Sequence, residues 1–72
     1  MAYETILLKK EAHIATLTMN RPDKMNALTR KMLLEMVEAV GDVAQDRDIR
    51  VMILTGAGKV FCSGADISGG GW

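Results

Sequence analysis

The sequence has few of the residues that would give a small protein a covalent or metal-based scaffold. Its 72 residues include one cysteine, Cys62, one histidine, His13, and one proline, Pro22. A single thiol excludes an internal disulfide and fits a reducing compartment. Because no spaced set of ligands accompanies it, a structural metal site is excluded as well. We predict instead that Cys62 is a small core residue beside a turn and that His13 is a half-exposed strand residue.

The chain also lacks net charge and long apolar runs. Nine basic and nine acidic residues give a formal net charge of zero, which argues against nucleic acid or an anionic membrane as the main partner. No apolar run approaches the roughly 20 residues of a membrane-spanning helix, and residues 1–4 contain no basic signal-peptide region. We therefore expect a globular protein in the cytoplasm.

Two strands are predicted in the first third of the chain. Tyr3–Lys9 and His13–Met19 are rich in Ile, Leu and Thr, as strands are. The short polar segment Lys10–Ala12 between them predicts a hairpin connection. Pro22 ends the second strand, because it cannot donate a ladder hydrogen bond.

A helix is predicted from about Arg30 to Ala44. Thr29 is a suitable N-cap, since its hydroxyl can accept from an otherwise unpaired backbone N–H. Apolar residues recur at helical spacing beyond it and predict one buried stripe. This stripe consists of Met32, Leu33, Met36, Val37, Val40, Val43 and Ala44.

The segment Val51–Thr55 is apolar without alternation, which predicts a strand buried on both faces. With the preceding strand and helix it forms a βαβ unit with parallel pairing and a right-handed crossover. One helix covers one face of such a sheet, so we expect a partner or further polypeptide to cover the other. The segment Ser63–Ile67 predicts a new turn or helix, and residues 68–72 a flexible Gly-rich tail.

The glycines after the third strand do not match the common nucleotide motifs. If Gly58 were the second glycine of a P-loop, the first glycine would fall at position 53, which is Ile53. Val60 would stand where Ser or Thr binds magnesium. Phe61 occupies the third glycine position of the dinucleotide fingerprint. A plain strand-exit turn is therefore favoured over phosphate binding.

Two segments instead resemble those of crotonase-type enzymes, the enoyl-CoA hydratase/isomerase family. Asn20–Leu28, NRPDKMNAL, resembles the family pattern NRP-x-x-x-NAL. Thr55–Ile67, TGAGKVFCSGADI, resembles TG-x-G-x-x-F-x-x-GAD-[LI]. The resemblance runs from about Tyr3 to Ile67. It implies an α/β fold, the N-terminal ββαβ part of a crotonase (ClpP/crotonase) spiral fold, incomplete in this chain, with residues 1–72 forming part of one crotonase-like domain.

The resemblance also implies an acyl-CoA thioester as substrate, with coenzyme A as part of that substrate and no separate cofactor or metal. The reaction develops negative charge on the thioester oxygen, which preorganised backbone N–H groups stabilise. By resemblance, the N–H of Ala65 is one of two such oxyanion-hole donors. Lys24 could equally be a solvated loop charge, and Met25 a core residue. The implied CoA-binding residues are Lys24, Met25, Ser63, Gly64, Ala65, Asp66 and Ile67.

The family members share this segment although they catalyse different reactions, namely hydration, isomerisation, hydrolysis, decarboxylation and dehalogenation. The second donor and the catalytic glutamates are expected in polypeptide beyond this segment, so the 72-residue chain alone is expected to be inactive. Implied partners are acyl-CoA, the remainder of the domain, and further copies in a homo-trimer or hexamer. The alternative is a non-catalytic folding or assembly module that binds its complementary half or another subunit. The acidic residues predicted to be surface charges, not a catalytic pair, are Glu4, Glu11, Glu35 and Glu38.

Overall fold

A computed structural model describes residues 3–67 of the chain, which form a three-stranded sheet and one long helix. The antiparallel strands β1 (Ile6–Glu11) and β2 (Ile14–Met19) are followed by a 3-10 helix (Pro22–Lys24) and by helix α1 (Arg30–Gln45). Strand β3 (Val51–Gly56) then pairs parallel to β2. The predicted ββαβ order and the parallel pairing are confirmed. The predicted tail, residues 68–72, lies outside the described residues.

The hairpin turn lies at a different position from the one predicted. Strand β1 continues to Glu11, and the connection is the pair Ala12 and His13, with φ of 51° and 69°. Positive φ at both central residues is the geometry that matches the twist of a two-residue hairpin. His13 is therefore a turn residue, not a strand residue. Its Nδ1 lies 2.8 Å from the Asp48 carbonyl oxygen, and its carbonyl accepts from the Arg50 N–H at 2.8 Å, so contacts with the loop before β3 hold this unusual turn.

Helix α1 begins as predicted. The Thr29 hydroxyl accepts a hydrogen bond from the Met32 N–H at 3.1 Å, which satisfies one of the unpaired N–H groups of the first turn. The helix packs on β1 and β2, and these three elements supply the core. Its buried apolar residues are Ile6, Ala15, Leu17, Met19, Met32 and Ala39.

The predicted apolar stripe of α1 is too wide. Met32 is buried, but Leu33, Val37 and Val40 are 41%, 64% and 44% exposed. Ala39, which the stripe did not include, is fully buried. The helix contacts the sheet along the line of Met32, Met36, Ala39 and Val43, which follows the i, i+4, i+7, i+11 spacing of one helix face. The exposed members lie beside this line, where no described element packs.

Strand β3 forms where it was predicted; one of its faces was expected to need cover from a partner or further polypeptide, and among residues 3–67 both faces are exposed. Val51, Met52, Ile53 and Leu54 are 54%, 37%, 46% and 42% exposed. The reason is geometric, since α1 packs mainly on β1 and β2 and residues on both faces of β3 are left exposed. We call these four residues and the exposed helix residues Leu33, Val37 and Val40 the open apolar surface.

Glu35 is not the simple surface charge that was predicted, although Glu4, Glu11 and Glu38 are exposed. Its half-buried carboxylate accepts from the Thr5 N–H at 2.9 Å, the Thr5 hydroxyl at 2.6 Å and the Glu4 N–H at 3.0 Å. Partial burial alone would raise the pKa of Glu35, but these hydrogen bonds outweigh it and lower the pKa. The carboxylate thus fixes the segment before β1 to α1.

A second polar contact joins β1 to the C-terminal half of α1. The Lys10 ammonium lies 2.8 Å from Asp42 and 2.7 Å from Asp46. The hydrogen bonds to Asp42 and Asp46 raise the pKa of Lys10, and the bond from Lys10 lowers the pKa of Asp46. Together with Glu35, this contact links the hairpin to the helix at both ends of the strand.

Candidate functional site

The first of the two sequence patterns folds into a tight reversal of the chain. The 3-10 helix Pro22–Lys24 begins with proline, whose fixed φ suits a first helical position. Met25 and Asn26 then adopt left-handed backbone conformations, with φ of 52° and 54°. The Met25 N–H donates to the Pro22 carbonyl at 3.2 Å, and the Asn26 N–H to the Arg21 carbonyl at 2.8 Å. The reversal directs Ala27 and Leu28 toward the second pattern.

The second pattern turns sharply after β3, and glycine is required at the turn. A Cβ at Gly56 would lie 2.3 Å from the Phe61 carbonyl oxygen and 2.8 Å from Asn26 Nδ2. Gly58 has φ of 79°, and a Cβ there would lie 3.1 Å from the Pro22 Cβ. The turn therefore lies directly against the first pattern, because these two positions carry no side chain.

The two patterns are hydrogen-bonded to each other along the backbone. The Ser63 N–H donates to the Met25 carbonyl at 3.1 Å. The Leu28 N–H donates to the Gly64 carbonyl at 2.8 Å, and the Leu28 carbonyl accepts from the Asp66 N–H at 2.7 Å. These last two bonds form an isolated parallel bridge between Leu28 and Ala65. The prediction of a turn or helix from Ser63 onward is therefore wrong up to Ile67, where the chain is extended.

This bridge determines where the Ala65 N–H points. In a parallel bridge, one residue bonds to the neighbours on both sides of its partner, and the partner's own N–H and C=O face the opposite way. Leu28 bonds to Gly64 and Asp66, so the N–H of Ala65 is directed away from Leu28. No group among residues 3–67 accepts a hydrogen bond from it. The N–H that the resemblance implies as a donor is therefore unpaired among residues 3–67, although an extended segment presents it instead of a helix start.

Asn26 is a site residue that the sequence reasoning did not single out. Its side chain is fully buried. Its Oδ1 accepts from the Arg21 N–H at 2.8 Å, and its Nδ2 donates to the carbonyls of Ala57 at 2.8 Å and Val60 at 2.7 Å. The available signal was an asparagine, a residue that tolerates the left-handed conformation, within the first pattern.

Arg21 was also missed and makes a second link. Its Nη1 donates to the Ala27 carbonyl at 2.5 Å, and its Nη2 lies 3.5 Å from Asp66 Oδ2. The side chains of Arg21 and Asp66 are only 19% and 18% exposed. The ion pair is therefore partly shielded from water and holds the end of the second pattern near the first.

A groove of about 590 Å³ lies between the two linked segments. Met25 is 57% exposed and Ile67 is 78% exposed, so Met25 is not the core residue that one alternative suggested. Lys24 is exposed as well, which leaves both of its interpretations open. Gly64 does not line the groove but holds its wall through the bond from Leu28. The groove is lined by Arg21, Asp23, Lys24, Met25, Ala27, Ser63, Ala65, Asp66 and Ile67, which include six of the seven CoA-binding residues implied by the resemblance.

Other kinds of site receive no support from the described part of the chain. Cys62 is half-buried against the core, as predicted, and its Sγ lies 3.4 Å from the Gly64 N–H. No group of three His, Cys, Asp or Glu side chains that could hold a metal ion occurs among residues 3–67. Within the same range, no helix has the length and apolar character needed to cross a membrane.

The antiparallel hairpin, the helix, the parallel third strand and the two linked loops define an α/β unit of the crotonase type. A family model described as enoyl-CoA hydratase/isomerase matches residues 9–71. The chain belongs to the enoyl-CoA hydratase/isomerase family, and the resemblance to its N-terminal segment is confirmed.

Individual relatives agree with this assignment. The chain is 49% identical over 69 residues to the crotonyl-CoA hydratase of Syntrophomonas wolfei, and 44% identical over 69 residues to the short-chain-enoyl-CoA hydratase of Clostridium acetobutylicum. Each comparison covers 94% of this chain and 26% of the relative. A crystal structure of an enoyl-CoA hydratase/isomerase from Xanthobacter autotrophicus Py2 superimposes with a TM-score of 0.92 at 35% identity, over 94% of this chain and 25% of that one. The chain thus spans about a quarter of the length of the relatives it matches.

Proposed function

We propose that residues 3–67 are part of an enzyme that acts on acyl-CoA thioesters, and that they supply one oxyanion donor and one wall of the CoA site. The observation that carries this proposal is the Ala65 N–H, which points away from Leu28 and has no acceptor among residues 3–67. Such a donor stabilises a thioester enolate because it is fixed before charge develops on the oxygen. In other enzymes the loss of one such donor costs about 3–4 kcal/mol of transition-state stabilisation.

The groove beside Ala65 has the chemistry that a long, mixed ligand requires. Met25 and Ile67 offer exposed apolar surface, which suits the alkyl part of a pantetheine arm. Lys24 adds an exposed cationic group on the same lining, which suits phosphate oxygens. Ser63 and Ala65 bring backbone close to the ligand without bulk. The whole set of proposed CoA-binding residues is Lys24, Met25, Ser63, Gly64, Ala65, Asp66 and Ile67.

The names of the relatives favour hydration of an enoyl-CoA, a lyase reaction of fatty acid metabolism, over isomerisation or thioester hydrolysis. We propose that the second oxyanion donor and the acid–base residues come from polypeptide outside residues 3–67. The 72-residue chain alone is accordingly expected to be inactive. A homo-trimer or hexamer and a cytoplasmic location stay predictions of the same kind.

A non-catalytic folding or assembly module is the second candidate, and the open apolar surface favours it. Met52 and Leu54 lie in β3, whose two faces both carry exposed apolar residues among residues 3–67. Exposed apolar area of this kind is typical of a surface that another polypeptide covers. Such a module would use this surface and would need no free N–H at Ala65. The two candidate functions therefore differ in whether the Ala65 N–H is required.

A chimera tests the catalytic proposal. Residues 3–67 replace the equivalent segment of the Syntrophomonas wolfei crotonyl-CoA hydratase, and hydration of crotonoyl-CoA is measured for the chimera and for Ala65→Pro. Proline removes the N–H without breaking an internal hydrogen bond of residues 3–67, because the N–H makes none there. We expect kcat to fall by about 10²–10³-fold, with a smaller change in KM, because an oxyanion donor acts mainly in the transition state.

The matched control is Ala65→Val, which adds bulk at the same position but keeps the N–H. We expect the valine variant to retain much more activity than the proline variant. Equal losses in two folded variants would assign the effect to crowding and contradict the donor role. Full activity in both would show that Ala65 contributes nothing to the reaction. A folded chimera that hydrates no crotonoyl-CoA would favour the non-catalytic module.

A further inference from the structure

The Asn26 side chain holds three backbone groups from two distant parts of the chain. Its Nδ2 uses both hydrogens, one on the Ala57 carbonyl and one on the Val60 carbonyl, while Oδ1 accepts from the Arg21 N–H. The residue is fully buried, so each of these bonds is shielded from competition by water. Asn26 thus connects the reversal after β2 to the turn after β3.

The bonds of Asn26 continue directly into the pairing that orients Ala65. Residues 25–28 hold the loop of residues 57–66 at its start, through the Asn26 side chain. They hold it at its end through the Met25 carbonyl and the N–H and carbonyl of Leu28. The position of the Ala65 N–H is therefore set by where residues 25–28 lie relative to the turn. If the Asn26 amide is lost, the start of the loop is released while its end stays paired.

Position 26 imposes two requirements, and asparagine satisfies both of them whereas other residues satisfy at most one. Its φ of 54° lies in the left-handed region, which glycine, asparagine and aspartate tolerate. Of these three, asparagine alone carries N–H donors for two carbonyls. Gly56 leaves the space for the amide, since a Cβ there would lie 2.8 Å from Asn26 Nδ2. Local backbone geometry and hydrogen bonding therefore select the same residue.

We propose that Asn26 is a positioning residue for the reaction, which places the Ala65 N–H for the thioester oxygen by joining the two loops through its side-chain amide. The inference rests on the proposed function, because it takes Ala65 as the oxyanion donor. Asn26 itself does not line the groove and acts only through the backbone of residues 57–66. Its loss should affect kcat more than KM.

The test uses the chimera described above with Asn26→Asp and Asn26→Gly. Aspartate keeps the size, the left-handed tolerance and the acceptor for Arg21, but it replaces the two donors with oxygen. Glycine keeps the backbone conformation and removes the side chain, so it serves as a second variant if aspartate prevents folding. We expect kcat for crotonoyl-CoA to fall by up to about a hundredfold in each, as misplacement of a reacting group by about 1 Å does, with KM little changed.

Two controls separate positioning from general destabilisation. Ala39→Gly lies in the helical core, away from both loops, and lowers stability by about 1 kcal/mol; its kcat should match that of the parent. In addition, Asn26→Asp is combined with Ala65→Pro. Because Asn26 acts through the Ala65 N–H, the double variant should be little slower than Ala65→Pro alone, so the two losses should not multiply.

Each outcome decides between the proposals. If Ala65→Pro reduces kcat but the Asn26 variants match the parent, the positioning role is overturned and the proposed function stands. If the losses of Asn26→Asp and Ala65→Pro multiply, or if Ala39→Gly loses as much activity, the role is overturned in favour of general destabilisation. If neither Asn26 variant folds, Asn26 serves the fold itself and the positioning role fails. If Ala65→Pro keeps full activity, the proposed function fails and this inference fails with it.

Discussion

Strands β2 and β3 are parallel neighbours with similar apolar content, but their surroundings differ. They pair in register along their whole length, with Leu17 beside Leu54 on the same face of the sheet. Leu17 is fully buried, whereas Leu54 is 42% exposed. Strand β2 lies between two strands and under α1, and β3 lies at the edge of the sheet beyond the helix. Burial stabilises an apolar side chain, but its position in the sheet decides whether neighbouring elements bury it.

The largest expected effect concerns the open apolar surface. Because β3 is uncovered on both faces, we expect the 72-residue chain alone to self-associate. Sedimentation velocity over a range of concentrations measures this. Ile53→Lys should reduce association, whereas Gln45→Lys, which adds the same charge at the exposed end of α1, should not. A monomer with a sharp thermal transition that is independent of concentration would contradict the prediction.

The same substitution at Leu17 and at Leu54 tests the difference in burial between β2 and β3. In the Ile53→Lys background of the 72-residue chain, Leu17→Ala should lower the free energy of unfolding by about 2–5 kcal/mol, as core leucines do. Leu54→Ala should cost much less there, since Leu54 is 42% exposed. In the chimera, further polypeptide should cover β3, so the losses of thermal stability should become similar. Equal losses in the isolated chain would show that β3 is already covered there.

A smaller effect is expected at the start of the helix that covers β2. Thr29→Ala removes the acceptor for the Met32 N–H and should lower stability by about 1 kcal/mol. Thr29→Ser keeps a hydroxyl and is the matched control, with a loss near zero. The midpoint of urea denaturation in the Ile53→Lys background measures both. Equal midpoints for the two variants would show that the cap contributes nothing.

The smallest expected effect is the pH dependence of stability that arises from Glu35, on the side of the sheet that α1 covers. Hydrogen bonds from Thr5 and Glu4 outweigh burial and lower the pKa of Glu35 below its ordinary value of 4.5. A lowered folded-state pKa means that this contribution to stability is complete above the unfolded pKa and is lost as pH falls through the folded pKa. Glu35→Gln should therefore reduce the drop in thermal stability below about pH 4.5. The remaining drop includes Asp46, whose pKa Lys10 lowers. An unchanged drop would contradict the role of Glu35.

Local sequence signals predicted the elements well and the connections less well. Pro22, Thr29 and the apolar run from Val51 act through their own backbone or their immediate neighbours, so their consequences are visible in the sequence. The hairpin turn at Ala12 and His13 was misplaced, because this pair is not one of the Asn-Gly, Asp-Gly or Gly-Gly pairs that usually mark a two-residue turn. Contacts with Asp48 and Arg50, more than 30 residues away, support that turn instead.

The sequence by itself determined the order of strands and helix, which follows from short patterns of backbone preference and side-chain size. Through its two motifs it also indicated the family and, by that resemblance, six of the nine residues that line the groove. Tertiary structure alone decided that Asn26 joins the two loops and that an extended segment, not a helix start, presents the Ala65 N–H. It also decided that β2 is covered while β3 is open. The Asn26 bonds join groups more than 30 residues apart, and pairing at that range is set by packing and hydrogen-bond geometry in three dimensions.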